Sequence, residues 1–587
     1  MNSSRRLLIV CLLALGVAPF LLPEFYVTLL CYIGLAMLVV LGLVVMTGVA
    51  GIVSFGQQAF VGVAAYTTAG LTTLLGWSPW SSLVASLVLV AAMALLIGFV
   101  TLRLSGHYLS IATIAWGIAI YYLFDNLPQL GQYSGIDNLP AVSIAGWEFN
   151  TGRRSYFLIW IFTAAALVAA HNLLDSRAGR AVRSLRFRSV MAESYGVNTA
   201  ALKLVVFVQA AILAGLAGWL HAHYLRFVSP HAFGVNAGID YLFMAVIGGA
   251  NQVWGAVVGA AIMTVLKESL KDIVPFLLKS TANYEAIVFG ALMLLLLHRT
   301  RNGIAPAIAR WLPQGRARAR PAQAPAPKRR ERPVPATPLL GVDGLNKRFG
   351  GLIAVKDISF SISAGEILGL IGPNGAGKST VFNLLSGTLA SDSGSVQLLG
   401  QPISGLPSRT IALRGLARTF QHVNLVSSMS VLDNVALGAH LRGAKGTLAA
   451  MLRTDRREEA QLMAEAARQI ERVGLAAHMH DPAGSLPLGQ QRVVEIARAL
   501  AADPLLLLLD EPAAGLRYAE KRALSDLLQS LRAEGLTILL VEHDMEFVMG
   551  LVDRLVVMEF GQKLASGLPH EIQRNPAVIE AYLGGIE

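Results

Sequence analysis

The sequence has only two cysteines and few charged residues for its length. Cys11 and Cys31 both lie in apolar stretches of the 587-residue chain, which excludes a disulfide framework and a CxxC metal site. Charged residues make up 14% and hydrophobic residues 54%, but these averages combine two unlike halves. Up to about residue 300 the sequence is a series of long apolar runs, and after about residue 340 it is typical of a soluble α/β protein.

The first half contains seven apolar stretches close to the ~20 residues that a helix needs to cross a bilayer. They lie near residues 7–22, 26–47, 59–75, 80–102, 108–125, 155–172 and 203–224. The first could instead be a secretory signal peptide, but the next apolar run follows after only a few residues and no small-x-small cleavage site is evident. We therefore predict a polytopic all-α transmembrane domain over residues 1–300.

Arginine positions predict which loops face the cytoplasm. Arg5 and Arg6 precede the first stretch, and five arginines follow the sixth: Arg177, Arg180, Arg183, Arg186 and Arg188. The positive-inside rule places both groups in the cytoplasm, with six crossings between them. The basic tail after Leu297 must be cytoplasmic too, so an even number of crossings should follow this Arg-rich loop.

Segments 203–224 and 284–297 supply two such crossings, which leaves segment 241–266 unpaired. Its centre, Gly248 to Gln252, is too polar and too flexible for a plain lipid-facing helix, so we predict a broken or re-entrant segment that lines a cavity. The stretch 48–60, with Gln57 and Gln58 beside Gly-rich turns, has two open interpretations. It is either part of a solute pathway or an ordinary close contact between helices through small residues.

A basic linker, residues 301–338, joins the two halves. The Pro, Arg and Ala composition of 310–338 cannot form a packed core, so a semi-extended cytoplasmic linker of at most ~90 Å is predicted. Much of the net charge of +11 lies here and in the Arg-rich loop. Nucleic-acid binding is one interpretation of such charge. The position beside a membrane favours membrane lipid or simple solvation instead, and we predict no nucleic-acid partner.

The second half opens with a phosphate-binding motif. Strand-like alternation in "DISFSIS" and a buried strand from Ile367 to Ile371 precede "GPNGAGKST". In this P-loop pattern glycines let backbone N–H groups wrap the phosphates, Lys378 reaches the β/γ oxygens and the Ser379 hydroxyl holds Mg²⁺. The predicted nucleotide-binding residues are Gly372, Asn374, Gly375, Ala376, Gly377, Lys378, Ser379 and Thr380. Alone the motif leaves kinases, GTPases and transport ATPases open.

Five consecutive leucines, Leu505 to Leu509, narrow that choice. Such a run predicts a central parallel strand buried on both faces, which brings Asp510 and Glu511 to its carboxyl end beside the P-loop. There Asp510 would hold Mg²⁺ through water. Glu511 would orient and deprotonate the attacking water.

Three further elements accompany these motifs: Gln421 at the end of "GLARTFQ", the turn "SLPLGQQR" before a predicted helix, and His543 in "EHD" after a strand from Thr537 to Val541. A helix N-terminus such as the one after this turn suits a phosphate, because its N–H groups are unpaired. Taken singly, Gln421 is a surface amide and His543 a polar strand-end residue. Taken in order, the elements resemble the α/β P-loop nucleotide-binding domain of ATP-binding cassette (ABC) transporters, over about 339–587.

That resemblance implies roles that the residues alone do not. Gln421 would sense Mg²⁺ and contact the membrane domain, and His543 would contact the γ-phosphate. Phe349 would stack on adenine; the alternative is that Phe349 is a simple core aromatic.

The resemblance also explains a second phosphate-binding helix start in one chain. Two such domains close face to face, so the signature turn of one would bind the ATP of the other. In this chain the signature turn consists of Leu486, Pro487, Leu488, Gly489 and Gln490. The usual signature is Leu-Ser-Gly-Gly-Gln. Pro487 is tolerated in a first helical turn but removes the serine hydroxyl, and Arg517 stands where an aspartate is usual. Both departures put the efficiency of the partner's site in doubt.

The membrane half resembles the permease of branched-chain amino acid importers over most of 30–300, above all in "AESYGVNTAALKLVVFVQAAILAGLAGWLHAHYLRFVSPHAF" and "AVIGGANQVWGAVVGAAI". This implies that the loop from Glu193 to Asn198, with Glu193 and Gly196, forms a short helix docking on the ATPase. It also implies ATP and Mg²⁺ as cofactors, and a second permease, a second ATPase and a periplasmic binding protein as partners. A homodimer of the fused chain is the alternative assembly.

The predicted fold is thus a polytopic all-α permease domain (1–300), a linker (301–338) and an ABC nucleotide-binding domain (339–587). The predicted function is ATP-driven import of branched-chain or related amino acids across the bacterial inner membrane, with linker and ATPase in the cytoplasm. Urea, amides and aromatic acids are alternative solutes. An exporter and an ATP-gated channel are alternative functions.

Overall fold

The structure is a computed structural model that describes residues 15–104, 106–187, 189–278, 285–299, 303–309 and 324–583. The chain divides into two compact units. The helical unit comprises Met1–Asp175 and Ala200–Ala317, and the α/β unit comprises Ser176–Thr199 and Arg318–Glu587. The Arg-rich loop therefore belongs to the α/β unit, although it interrupts the sequence of the helical one.

Apolar helices make up the helical unit. The longer ones are Glu24–Leu43, Gln57–Thr73, Pro79–Thr101, His107–Asn126, Gly152–Leu174, Thr199–Leu225, Val235–Gly248, Val253–Leu278 and Glu285–Arg299. Among the described residues, 6 helices are long and apolar enough to cross a membrane. Helices are confirmed at every predicted membrane segment from 26–47 to 203–224. The predicted segment at 7–22 lies mostly outside the described residues.

Segment 241–266 is interrupted where the sequence predicted a break. Helix Val235–Gly248 ends at Gly249, whose φ of +115° is accessible to glycine at little cost, and helix Val253–Leu278 follows. The two helices pack closely through small residues: a Cβ on Gly259 would lie 1.8 Å from the Met244 carbonyl oxygen. The break is confirmed, and its re-entrant path through a membrane stays a prediction.

Close packing also surrounds the stretch 48–60. A π-helix, Val44–Val49, leads into irregular backbone, and the next helix begins at Gln57. Gln58 is buried, and a Cβ on Gly238 would lie 2.3 Å from its Oε1 atom. Helices therefore do contact each other here through small residues, which is one of the two interpretations of this stretch. A role in a solute pathway stays a prediction.

A six-stranded sheet forms the centre of the α/β unit. Its strand order is Gln562–Gly567, Arg554–Glu559, Ile367–Ile371, Thr537–Val541, Leu506–Asp510 and Leu416–Arg418, and neighbours pair in parallel except at the Gln562–Gly567 edge. The predicted leucine strand lies between two parallel neighbours and is fully buried. Its unbroken apolar run suits this position, because both of its faces are covered.

The rest of the α/β unit packs around this sheet. An antiparallel sheet of Leu352–Ser363, Pro338–Phe349, Ser393–Leu398 and Gln401–Pro402 shares its core. The longer helices are Lys378–Leu385, Val431–Gly438, Arg456–Arg472, Leu488–Ala501, Tyr518–Ala533 and Pro576–Leu583. Three of them, which contribute Val435, Leu462 and Val494, form a second apolar cluster. The predicted strands 367–371 and 537–541 are confirmed.

Residues 324–332, which we call the strap, lie along the α/β unit. Arg442 donates hydrogen bonds to the carbonyl oxygens of Pro327 (3.0 Å) and Lys328 (3.1 Å). Asp503 accepts from the Arg330 backbone N–H (2.6 Å) and from the Arg332 guanidinium (3.3 Å). Solvation or lipid attraction was predicted for this charge. For Arg332 that prediction is wrong, because a nearby carboxylate pairs with it; residues 310–323 lie outside the described residues.

Candidate nucleotide-binding site

The P-loop connects the buried strand Ile367–Ile371 to helix Lys378–Leu385. It needs glycine at two points in particular. Gly372 has φ of +153°, and a Cβ there would lie 2.1 Å from the Met558 carbonyl oxygen; Gly377 has φ of +95° directly before the helix. The Lys378 ammonium folds back over the loop and donates to the carbonyl oxygens of Gly372 (2.7 Å) and Pro373 (2.9 Å). Burial lowers the pKa of Lys378, while Glu511 and Asp510 oppose this shift.

A cavity of about 450 Å³ lies beside this loop. The described residues that line it are Phe349, Leu352, Ile353, Ala354, Asn374, Gly375, Ala376, Gly377, Lys378, Ser379, Thr380, Gln421, Glu511 and Phe560. The structure thus brings most of the predicted nucleotide-binding residues to one cavity. Phe349 is 48% exposed there, so the alternative of a core aromatic is wrong. Gly372, Asp510 and His543 are not among the lining residues.

Asp510 ends the leucine strand in a buried, polar setting. Arg418 lies 3.6 Å from its Oδ2 atom, and both side chains are 4% exposed. The Oδ1 atom is also buried and accepts no hydrogen bond within the part of the chain that the structure describes. Burial raises the pKa of Asp510, and Arg418 acts against that rise. A buried carboxylate oxygen without a partner is costly, so this atom can accept a cation or a cation-bound water.

Glu511 directly follows the strand with φ of +48°, a left-handed conformation that is uncommon for a non-glycine residue. Its backbone N–H donates to the Val541 carbonyl oxygen (2.9 Å), and the Gln421 amide donates to its carboxylate (3.3 Å). Arg492 joins the same group: it donates to the carbonyl oxygens of Glu511 (3.0 Å) and Gln421 (3.2 Å). The sequence analysis missed Arg492, although it lies within the quoted "SLPLGQQR".

His543 stands apart from this group. Its side chain is 60% exposed, and its ring Nδ1 lies 3.7 Å from a carboxylate oxygen of the fully buried Glu542. Glu542 also accepts from the backbone N–H of Ala513 (2.6 Å). Burial raises the pKa of Glu542, while the hydrogen bonds from the backbone N–H groups of Ala513 and His543 lower it. His543 is therefore an exposed residue that does not line the cavity.

The signature turn precedes helix Leu488–Ala501. Pro487 is the N-cap residue, with φ of −56° and ψ of 152°, one position before the first helical turn in which the sequence placed it. Its carbonyl oxygen accepts the Gln491 N–H at 3.0 Å, and its missing N–H costs no helical bond. None of the residues 486–490 is among the described residues that line the P-loop cavity.

Two short helices of the Arg-rich loop dock on the α/β unit, of which they form part. We call Arg177–Ser184 the first docking helix and Ser189–Ser194 the second. Arg180 forms a two-pronged ion pair with Glu459, and the Arg177 backbone N–H donates to the same carboxylate at 3.0 Å. The sequence analysis noted these arginines only as topology signals.

The end of the loop is buried more deeply. Tyr195 is fully buried beneath the Arg498 guanidinium, 4.9 Å from its ring centre, and its hydroxyl donates to the Arg418 carbonyl oxygen at 3.2 Å. Gly196 has φ of +83°, and a Cβ there would collide with the Leu441 side chain. Glu193 accepts a hydrogen bond from the Thr199 hydroxyl. The second docking helix therefore overlaps the expected 193–198 stretch only at Glu193 and Ser194, and residues 195–198 are not helical.

Comparison with known proteins places both units. The family model "Branched-chain amino acid transport system / permease component" matches residues 25–297. The model "ABC transporter" matches residues 355–514, and "Branched-chain amino acid ATP-binding cassette transporter" matches residues 562–587.

Two branched-chain amino acid transport ATP-binding proteins agree with these matches. Over 250 residues the chain is 46% identical to the high-affinity branched-chain amino acid transport ATP-binding protein LivG of Salmonella typhimurium, which covers 42% of this chain and 98% of LivG. It is 44% identical to BraF of Pseudomonas aeruginosa, with the same coverage. A crystal structure of a nucleotide-free ATP-binding cassette from an ABC transporter is 30% identical over 42% of this chain and 100% of that chain, with a TM-score of 0.38.

Proposed function

Because this chain belongs to the branched-chain amino acid family of ABC transporters and carries that family's permease and ATPase in one polypeptide, we propose that it is a subunit of an importer for branched-chain amino acids. The observation that carries the proposal is the presence of both components in one chain, with a P-loop cavity that contains Lys378 and Glu511. The chain is a membrane protein with an ATPase domain, and ATP hydrolysis is coupled to transport.

In this proposal the predicted residues of the ATP site have separate roles. Backbone N–H groups from Asn374 to Thr380 and the Lys378 ammonium hold the phosphates. Glu511 orients and deprotonates the attacking water, and the hydrogen bond from the Gln421 amide helps to position its carboxylate. Phe349 contacts the base, and His543 contacts the γ-phosphate.

Mg²⁺ fits the same site. Ser379 and Gln421 line the cavity, and Asp510 offers a buried carboxylate oxygen without a hydrogen-bond partner in the described chain. These three residues would hold the ion, directly or through water. When bound, Mg²⁺ neutralises phosphate charge.

The assembly requires further subunits. One P-loop and one signature turn per chain require a second cassette, because the signature turn lies away from its own P-loop cavity. We propose a separate second permease and second ATPase, with a periplasmic binding protein that delivers the solute. The α/β unit and the linker lie in the cytoplasm and the helical unit in the inner membrane, as the arginine distribution favours. ATP binding closes the paired cassettes, and hydrolysis resets them.

Uptake by cells tests the proposal. Cells that lack this chain are given back the wild type or Lys378→Ala, and uptake of labelled leucine, isoleucine and valine is measured beside urea, an amide and phenylalanine. We expect accumulation of branched-chain amino acids above the external concentration with the wild type alone. Preferred uptake of another solute would overturn the assignment of branched-chain amino acids as the substrate. Efflux would favour an exporter, and flow that stops at equal concentrations would favour a channel.

A further inference from the structure

A two-residue turn next to the P-loop has an unexpected sequence. Phe560 and Gly561 connect strands Arg554–Glu559 and Gln562–Gly567. The last residue of the first strand, Glu559, pairs with the first residue of the second, Gln562. Both turn residues have positive φ, +45° for Phe560 and +79° for Gly561. A turn with two positive φ angles is the type I′ class, in which Asn-Gly is the favoured pair. A bulky phenylalanine in this backbone conformation is strained.

The Phe560 ring gains no packing in return for this strain. It is 83% exposed, and it stacks on no other ring in the part of the chain that the structure describes. A large apolar side chain normally contributes to stability through burial. A residue that violates its local turn preference and also leaves its ring in solvent is typical of a functional position.

The turn is fixed against the phosphate-binding loop. The Gly561 N–H donates to the Ala376 carbonyl oxygen at 3.2 Å, and the Gly561 carbonyl oxygen accepts the Lys356 N–H at 2.7 Å. Ala376 belongs to the P-loop, and Phe560 lines the same cavity as Phe349 and Ile353. The exposed ring is therefore held at the nucleotide cavity, which is also lined by the apolar residues Phe349 and Ile353.

We propose that Phe560 is a second base-binding residue, which contacts the purine ring of ATP together with Phe349. A nucleotide base presents a flat π-face, and stacking of this face on an aromatic side chain strengthens binding by roughly 5- to 150-fold. This proposal rests on the nucleotide site proposed above. It adds that the turn between strands Arg554–Glu559 and Gln562–Gly567 completes that site.

A second turn of the same kind provides a matched control. Leu399 and Gly400 connect strands Ser393–Leu398 and Gln401–Pro402, with φ of +51° and +71°. Leu399 is 45% exposed, but it is not among the described residues that line the cavity. Replacement of either Phe560 or Leu399 by asparagine should relieve the same backbone strain, whereas only the first replacement removes a base contact.

The experiment compares Phe560→Asn, Phe560→Tyr and Leu399→Asn in the full chain with its partner subunits. Binding of ATP and of inorganic tripolyphosphate is measured beside the melting temperature. We expect Phe560→Asn to raise the melting temperature, to weaken ATP binding at least ~5-fold and to leave tripolyphosphate binding unchanged. Phe560→Tyr should keep ATP affinity. Leu399→Asn should raise the melting temperature without any effect on ATP.

Unchanged ATP affinity in Phe560→Asn would overturn the proposal. Equal losses for ATP and tripolyphosphate would overturn it too, because they indicate a distorted P-loop. Lys378→Ala distinguishes this failure from failure of the nucleotide site itself. If that variant binds both ligands like the wild type, the site is wrong; if it loses both, the site stands and only the role of Phe560 is in question.

Discussion

Glu511 shows how a single residue is placed by the strand before it and the strand beside it. The leucine strand delivers it to the P-loop edge, and the hydrogen bond from its N–H to Val541 fixes the left-handed turn that follows. Gln421 and Arg492 then hold its carboxylate and its carbonyl group. No other carboxylate among the described residues lines the cavity, so the geometry offers one candidate base.

Glu511→Gln should reduce ATP hydrolysis ~100-fold or more, because a positioned base contributes about that much. ATP should still bind, since the amide has the shape of the carboxylate. Steady-state ATPase activity and nucleotide binding of the purified complex measure the two effects. Substantial hydrolysis in this variant would show that another chain or residue supplies the main base.

Pro487→Ser should change hydrolysis only modestly, and upward if at all. A restored charged hydrogen bond is worth ~1.5–3 kcal/mol, or at most ~10- to 150-fold in rate if it acts wholly in the transition state. In a heterodimer the change affects only the site built with the partner's P-loop. A large acceleration, together with a subunit ratio that indicates two copies of this chain, would instead establish the homodimer.

The P-loop and the Asp510–Glu511 pair could be predicted because each motif is contiguous, so local sequence fixes its geometry. Phe560 could not be found in the same way. It reaches the P-loop only because strand Arg554–Glu559 pairs with Ile367–Ile371, nearly two hundred residues earlier. The signal was present nevertheless, since Phe-Gly replaces the usual Asn-Gly between two strand-like runs.

The docking helices show what element-level reasoning can and cannot supply. A loop between membrane segments with charged residues predicts exposure to cytoplasm, but it does not reveal which arginines will be buried. The first docking helix begins at the Ser176 N-cap, whose side chain accepts the Gly179 N–H. Its partner Glu459 lies in helix Arg456–Arg472, so the ion pair depends on a fold that local patterns do not specify.

Arg180→Glu should decrease solute uptake per ATP hydrolysed by ~10-fold or more. The pair with Glu459 is 3% and 10% exposed, and breaking a buried pair costs about 3–5 kcal/mol. Uptake and ATPase activity are measured together in reconstituted vesicles. The double variant Arg180→Glu/Glu459→Arg should recover part of the loss.

The more exposed pair Arg472 and Glu534, whose side chains are 30% and 56% exposed, serves as the control for that experiment, because reversal of its charges should leave uptake unchanged. Full coupling in Arg180→Glu, or an equal loss in the control, would contradict a specific role for the docking helix.

Asp503→Ala should release the strap. Asp503 accepts from the Arg330 N–H and the Arg332 guanidinium, and each lost charged hydrogen bond is worth ~1.5–3 kcal/mol. Trypsin should then cut after Lys328, Arg329 or Arg330 at least ~10-fold faster. Timed digestion followed by mass spectrometry measures this rate, with Asp392→Ala as the control. Cleavage at the wild-type rate would show that the strap is held by its other contacts.

At the scale of the whole molecule, the candidate membrane spans belong to the helical unit, whereas the Arg-rich loop between two of them belongs to the α/β unit. The predicted topology requires the Arg-rich loop and the linker to be cytoplasmic. It requires loop 127–151 to lie on the opposite side of the membrane. Arg186, Ala326 and Asn150 are exposed positions that report on these three regions.

Single cysteines at Arg186, Ala326 and Asn150, in a chain without Cys11 and Cys31, test this topology. In intact spheroplasts a membrane-impermeant thiol reagent should label Asn150→Cys only. In permeabilised membranes it should label all three. Labelling of Arg186→Cys or Ala326→Cys in intact cells would overturn the predicted number of crossings.

The division of the chain into units also has a consequence for its synthesis. Arg180 and Glu459 are 279 positions apart, so at about 5–20 residues per second the ribosome needs roughly 14 to 56 s to travel from one to the other. During that time Arg180 and Tyr195 have no surface to bury them. The nascent helical unit must therefore insert in the membrane while this loop, which we predict to be cytoplasmic, is still unsatisfied and open to chaperones and proteases until the cassette emerges and folds onto it.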